Sequence, residues 1–452
     1  MFARSRWLAP LVVFLLALAV RLPFLHAPGF PPDQDQFFSW SQRSADEGMS
    51  AVYRPADFMW PSNYPPAYHY VLRGLAEVFH WRTGRDLDRQ VRSEAYYGRG
   101  TESALAAALI YKLPAVFADA ILGALLVVWL GRRVRARTAF VVGGVYVLLP
   151  AVIHNSSVWG QVDAIPTLLV VASLEAARRR KLPAMWALAT IAALTKAQVL
   201  VFAPIWLLIA VSDLRLQWKR GLLGLLIAVV ICVIVVLPFW NELDGVKTAY
   251  TGAADFYPYV HLNGFSAWFL SNPIERPQLR DLDRVYARDN QPFALGVTPK
   301  IFGSIGLGVV AVLVILLMRR RGCDEASLFW AARTLPLAFF VFSTQMHERY
   351  AFPILAVGAW SFLGSRRWRT WWGILAVCVT ANVLWSWAGP GDGAVVSAIE
   401  RVLWSKWLGV KPGVLFSLAF IAALGASLSG WIDGLGAFAP TSLRPAPDTK
   451  AG

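Results

Sequence analysis

With 452 residues, 57% of them hydrophobic and only 16% charged, the chain carries too little charge for a soluble domain of its size. A net charge of +15 would suggest nucleic-acid binding in a soluble protein. Here the basic residues cluster at the ends of apolar runs of about 18 to 22 residues, the length that spans a bilayer, so the charge reads as a topology signal and a nucleic-acid role is excluded.

The first apolar run, 8–25, follows Arg4 and Arg6. It lacks the small-residue cleavage site of a signal peptide, since it ends in Arg21-Leu22-Pro23-Phe24, and is expected to stay as a first helix. Further basic clusters stand at Arg132 to Arg137, Arg178 to Lys181, Arg215 to Arg220, Arg319 to Arg321 and Arg366 to Arg369. The positive-inside rule puts all of them in the cytoplasm. An even number of crossings must then separate successive clusters. Twelve helices meet that condition, at roughly 8–25, 113–130, 138–153, 163–177, 182–195, 197–211, 221–239, 300–318, 326–343, 350–364, 370–388 and 412–430. The expected fold class is therefore all-α integral membrane, with both termini cytoplasmic. The Arg-rich composition points to a bacterial plasma membrane.

Two long segments, 26–112 and 240–299, remain outside the cytoplasm. In the first, Tyr64-Pro65-Pro66 marks a helix start, because proline suits the first turn. Leu72, Leu75 and Phe79 continue an amphipathic pattern, which predicts a helix lying along the membrane surface. Were 64–80 to cross instead, Arg132 to Arg137 would move outside unless a further crossing were added. Cys232, Cys323 and Cys378 lie too far apart to suggest a disulfide framework or a zinc site.

This topology gathers four polar clusters on one face. They are Pro32 to Trp40, His154 to Asp163, Thr195 to Gln198 and Gln345 to Tyr350. Ionisable groups at membrane depth are costly and mark functional cavities. Carboxylates (Asp33, Asp35, Asp163), a lysine (Lys196), a histidine (His347) and an arginine (Arg349) could converge there. The bland alternatives are specific. Asp46 and Glu47 are solvated, Lys196 snorkels at an interface, Trp159 anchors at the interface, and His347-Glu348-Arg349 closes a hairpin as an internal ion pair. Asp119, inside an apolar run, reads as a helix-to-helix hydrogen bond. Asp33-Gln34-Asp35 also has the Asp-x-Asp spacing that holds a metal in nucleotide-sugar enzymes, but no Gly-rich phosphate loop accompanies it.

At these residues the chain resembles the GT-C superfamily of polytopic glycosyltransferases. It is most similar to the dolichyl-phosphoglucose-dependent glucosyltransferases of N-glycan assembly and to the second mannosyltransferase of GPI-anchor assembly with its bacterial relatives. The resemblance rests on Asp33 a few residues before Trp40, on Tyr64-Pro65-Pro66 and on Ala118-Asp119. It continues in Trp159-Gly160-Gln161 with Asp163, in Lys196 before Ala203-Pro204, and in His347-Glu348-Arg349. It covers residues 1–365, with both external segments. It does not reach the C-terminal helices of 366–431 or the tail 432–452.

The resemblance implies a GT-C fold and an inverting transfer of mannose or glucose from a polyprenyl monophosphate to a glycolipid or glycan on the extracytoplasmic face. The partners it implies are a lipid-linked donor, that acceptor and membrane lipids. Direct displacement needs one base, with Asp33 or Asp35 as the candidate. The leaving phosphate needs cationic donors, for which Arg349, His347 and Lys196 serve. Trp40, Tyr64, Trp159, Gln161, Asp163, Gln198 and Glu348 are expected to bind substrate. Such donors make a metal cofactor dispensable, while the Asp33/Asp35 pair leaves a divalent ion open. The rival class is a transporter or flippase of a lipid-linked or polar solute. Transporters show paired halves and sites at the bilayer midplane. This chain has no repeat, and its polar clusters sit at helix ends on one face.

Overall fold

The computed structural model describes residues 7–56, 60–252, 257–277, 281–364, 366–387 and 394–437. The basic pair Arg4/Arg6 and residues 438–452 of the expected tail 432–452 lie outside the described residues, and with them the two termini, while 432–437 continue the last helix. The described chain is almost wholly helical, its only strands being two dipeptides.

Helix α1 (Leu8–Arg21) is followed by α2 (Pro31–Asp46), α3 (Pro66–Thr83), α4 (Arg89–Tyr96) and the long α5 (Glu102–Leu130). Next come α6 (Ala136–Leu148), α7 (Pro150–Ile153), a π-helical turn (His154–Trp159), α8 (Ala164–Arg178) and α9 (Leu182–Thr195). A 3-10 turn (Ala197–Phe202) leads into α10 (Ala203–Val236) and then α11 (Leu243–Thr251). Strand β1 (His261–Leu262), the single turn α12 (Leu282–Val285), α13 (Pro299–Arg320), α14 (Glu325–Phe342), β2 (Met346–His347) and α15 (Phe352–Gly358) follow. Helices α16 (Arg366–Ser386), α17 (Ala394–Trp404) and α18 (Pro412–Ala437) complete the order.

Among the described residues, five helices are long and apolar enough to cross a membrane, or six if the bent pair 136–148 and 150–159 is one span. The shorter apolar helices include α9 and the segment 197–212. Helix α3 is not among the five.

Helix α10 packs beside α9: Ser212 accepts a hydrogen bond from Arg180, just ahead of α9, and Gly224 lies against Leu182. Further along, Tyr250 donates to Ala193 O at 3.1 Å.

The segment 26–112 is not a loop but a helical layer with its own core. Phe37, Phe38 and Trp40 of α2 are buried with Tyr68, Leu72 and Phe79 of α3 and Tyr111 of α5. Because α2 begins at Pro31, with prolines at its first two positions and Asp33 in its first turn, the Asp-x-Asp tripeptide is helical. From sequence it is placed in the first external segment, just after the first helix, with no helix predicted at that point. Below it, the membrane helices share a second, larger core that includes Val147, Leu174, Phe202 and Phe340. One buried polar knot joins them. Arg21 and Asp119 are both fully buried, 3.3 Å apart, and Asp119 also accepts from Tyr146 at 3.1 Å.

Candidate active site

The pocket is assembled from six stretches of chain. Its lining comprises Asp33, Gln36 and Phe37 of α2, Asn63 to Pro65 ahead of α3, and Gln161 after the π-helical turn. Lys196 to Gln198, Tyr257, His347, Arg349 and Tyr350 complete it. All four polar clusters expected on one face thus contribute to a common cavity. One of them, His154 to Asp163, reaches it through Gln161 and otherwise supports it from behind.

Asp33 is held from that supporting side. Trp159 donates its indole N–H to Oδ2 at 2.8 Å, and Gln161 donates its side-chain amide to the same oxygen. Arg349 lies 3.9 Å from Oδ2. All three contacts fall on Oδ2, which leaves Oδ1 to take a proton. Gly160 makes the double grip feasible. Its φ of +82° is a left-handed conformation that favours glycine, and a Cβ there would lie 2.5 Å from the Gln34 side chain. Buried Gln34 in turn donates to Gly160 O at 2.9 Å, tying α2 to the turn.

Lys196 pairs with Asp163, which also accepts from Asn155 and lies 4.0 Å from Arg349. The ammonium stands over the rings of Tyr64 and Tyr350 at 5.8 and 5.6 Å, within cation–π range. Arg349 is bonded at 2.7 Å to Glu348, whose side chain is almost fully buried. The cluster therefore holds three carboxyl groups (Asp33, Asp163, Glu348) against Arg349 and Lys196; burial lowers the Lys196 pKa, with Asp163 opposing. Burial raises the Glu348 pKa, with Arg349 opposing. His347 is pushed well below the ordinary histidine range by burial and then by Arg349 and Lys196, so it presents a neutral imidazole.

The β1–β2 pairing fixes this last loop. His261 pairs with Met346 and Leu262 with His347, in parallel. Buried Asp289 accepts from Thr344 at 2.7 Å and from the Gln345 amide at 2.9 Å.

Several expected site residues are placed elsewhere. Asp35 does not line the pocket but forms a two-pronged ion pair with Arg92 at 2.8 and 3.0 Å. On a helix, residues two apart differ by about 200° in direction, so Asp33 and Asp35 cannot share a face. Trp40 is buried and donates to Trp60 O at 2.9 Å; it backs Tyr64 instead of lining the pocket. Trp159, Asp163 and Glu348 likewise hold pocket residues without lining it. The metal left open at Asp33/Asp35 finds no convergent pair there, and among the described residues no group of three or more His, Cys, Asp or Glu could hold one.

Of the other pocket and support residues, Gln34, Gln36 and Tyr350 fell within the polar clusters without being singled out, and Asn63 and Tyr257 went unread. Gln36 lies one helical turn from Asp33, a relation that assigning α2 would have exposed. Compared with known proteins, the chain matches no protein-family model and no curated sequence.

Proposed function

We propose that the protein is an inverting glycosyltransferase of GT-C type, with twelve spans, in a bacterial plasma membrane. In this reading it moves mannose or glucose from a polyprenyl monophosphate to a glycolipid or glycan on the extracytoplasmic face. The observation that carries it is a single carboxylate, Asp33, in one pocket with Arg349, Lys196 and His347. That set supplies both halves of a direct displacement. Asp33 takes the proton of the acceptor hydroxyl as its oxygen bonds to the anomeric carbon. The bond from that carbon to the phosphate oxygen breaks, and Arg349, Lys196 and the neutral imidazole of His347 receive the charge that develops on the phosphate. Trp159 and Gln161 hold Oδ2 of Asp33 and so fix the direction of Oδ1.

The test is consumption of synthetic polyprenyl-phosphate mannose and glucose by the purified protein, with membrane lipid extract as acceptor. Release of polyprenyl phosphate with transfer to lipid or glycan supports the reading. Absence of consumption of any lipid-linked hexose by the folded wild type overturns it.

A further inference from the structure

The pocket holds two acceptor atoms that nothing in the protein satisfies. Asn63 Oδ1 and Gln198 Oε1 are buried and make no hydrogen bond, and both residues line the cavity that contains Asp33. A buried acceptor without a partner is costly, so such atoms are retained where a ligand completes them. Both belong to neutral amides, which take a hydroxyl hydrogen without adding charge to a cluster already rich in carboxyl groups.

Asn63 is also held rigidly. On one side Ser62 donates its backbone N–H to Val52 O at 2.8 Å, and its hydroxyl meets His69 Nε2 at 2.9 Å. On the other, Tyr64 N donates to Ser62 Oγ at 3.1 Å, and Tyr64 O accepts from the Tyr53 hydroxyl at 2.8 Å. Pro65 and Pro66 then fix the backbone into α3. The chain on both sides of Asn63 is pinned, so its side chain is presented to the pocket in advance, as a selective contact requires. Gln198 sits in the 3-10 turn directly after Lys196, which places a sugar-hydroxyl acceptor beside a phosphate-binding cation.

We propose that Asn63, with Gln198, is a specificity-determining residue that accepts hydrogen bonds from hydroxyls of the transferred sugar. The inference rests on the glycosyltransferase reading and deepens it. The ligand class is a neutral polyhydroxylated sugar whose hydroxyls meet amide oxygens.

The experiment compares polyprenyl-phosphate mannose and glucose with their singly deoxygenated analogues, using wild type, Asn63→Leu and Asn63→Asp. The readout is the ratio of kcat/KM for parent and analogue, which is internal to each variant and independent of the folded fraction. In the wild type, at least one analogue should fall about tenfold or more below its parent. In Asn63→Leu that ratio should collapse to within about twofold. Asn63→Asp keeps an acceptor oxygen and should retain it. If Asn63→Leu yields no folded protein, Asn63→Ala reads the same ratio. Unchanged analogue penalties in every Asn63 variant, with the wild type active, overturn this inference and leave the functional reading standing. No consumption of any donor by wild type overturns both.

Discussion

The indole N–H of Trp159 donates to Asp33 Oδ2 at 2.8 Å, across 126 positions of sequence. That bond makes the candidate base part of a rigid unit with the π-helical turn, and it separates Asp33 from its near neighbour Asp35.

The separation is testable. Asp33→Asn should lower hexose transfer by about 10²–10⁴-fold, the loss typical of removing a general base. Asp35→Asn should retain transfer within a few-fold and lose about 1 kcal/mol or less, because its partner Arg92 and its own carboxylate are only partly buried. Transfer rates of the two variants beside wild type in one assay check both expectations. Equal losses would remove Asp33 from its assigned role.

Gly160→Ala should destabilise the protein by about 1–3 kcal/mol, since alanine pays for the left-handed conformation there. It must also displace the Gln34 side chain. The thermal midpoint in detergent should drop. Gly144→Ala is the control, because a Cβ there meets nothing within 4 Å. A midpoint that falls equally in the control would refute the account.

The buried Arg21–Asp119 pair should respond asymmetrically. Arg21→Met alone leaves Asp119 buried without its cation and should cost about 3–5 kcal/mol. Combining it with Asp119→Leu should recover much of that loss. Thermal midpoints of the two single variants and the double variant decide the matter; simple additivity of the losses would argue against the pair.

Acidification should weaken the external layer through two buried histidines. Burial lowers His69 to about 3 and His261 to about 4, with hydrogen bonds to backbone carbonyls partly opposing. Both folded values lie below the unfolded value of about 6.5. Between them the unfolded chain binds the extra proton, so stability is present above about pH 6.5 and declines as pH falls below it. Each histidine contributes a slope of up to about 1.4 kcal/mol per pH unit. Thermal midpoints from pH 7.5 to 5 should show the decline, and His261→Gln should flatten it. A midpoint independent of pH over that range would contradict the assignment.

Of the twelve spans expected, the five or six described helices long and apolar enough to cross were legible because lipid-facing surface demands long apolar runs, and the basic clusters marked where those runs end. Within 31–96, α3 was legible at Tyr64-Pro65-Pro66, but α2 and α4 were not. These two bury Phe37, Phe38, Trp40 and Val91 in the shared core and leave polar residues outside, so their mean hydropathy resembles a loop. The helix-start signal of Pro31-Pro32 was present all the same. Applied there as it was at Pro65-Pro66, it would have put Asp33 and Asp35 on different faces. Asp33, Tyr64, Gln161, Lys196, Gln198, His347 and Arg349 could be picked out individually because polar groups at the ends of apolar runs stand out. Asn63 and Tyr257 could not, since each lies in a segment already polar. Their role depends on a tertiary approach that no local pattern encodes.

The Arg21–Asp119 pair also sets a condition on how the protein is made. The two residues are 98 positions apart in the chain. At about 5–20 residues per second, roughly 5–20 s pass between synthesis of the arginine and of its carboxylate. Throughout that interval the first helix carries an unmatched guanidinium at its end. It can settle into its final depth only after the later helix arrives, so these two segments mature in the membrane as a couple.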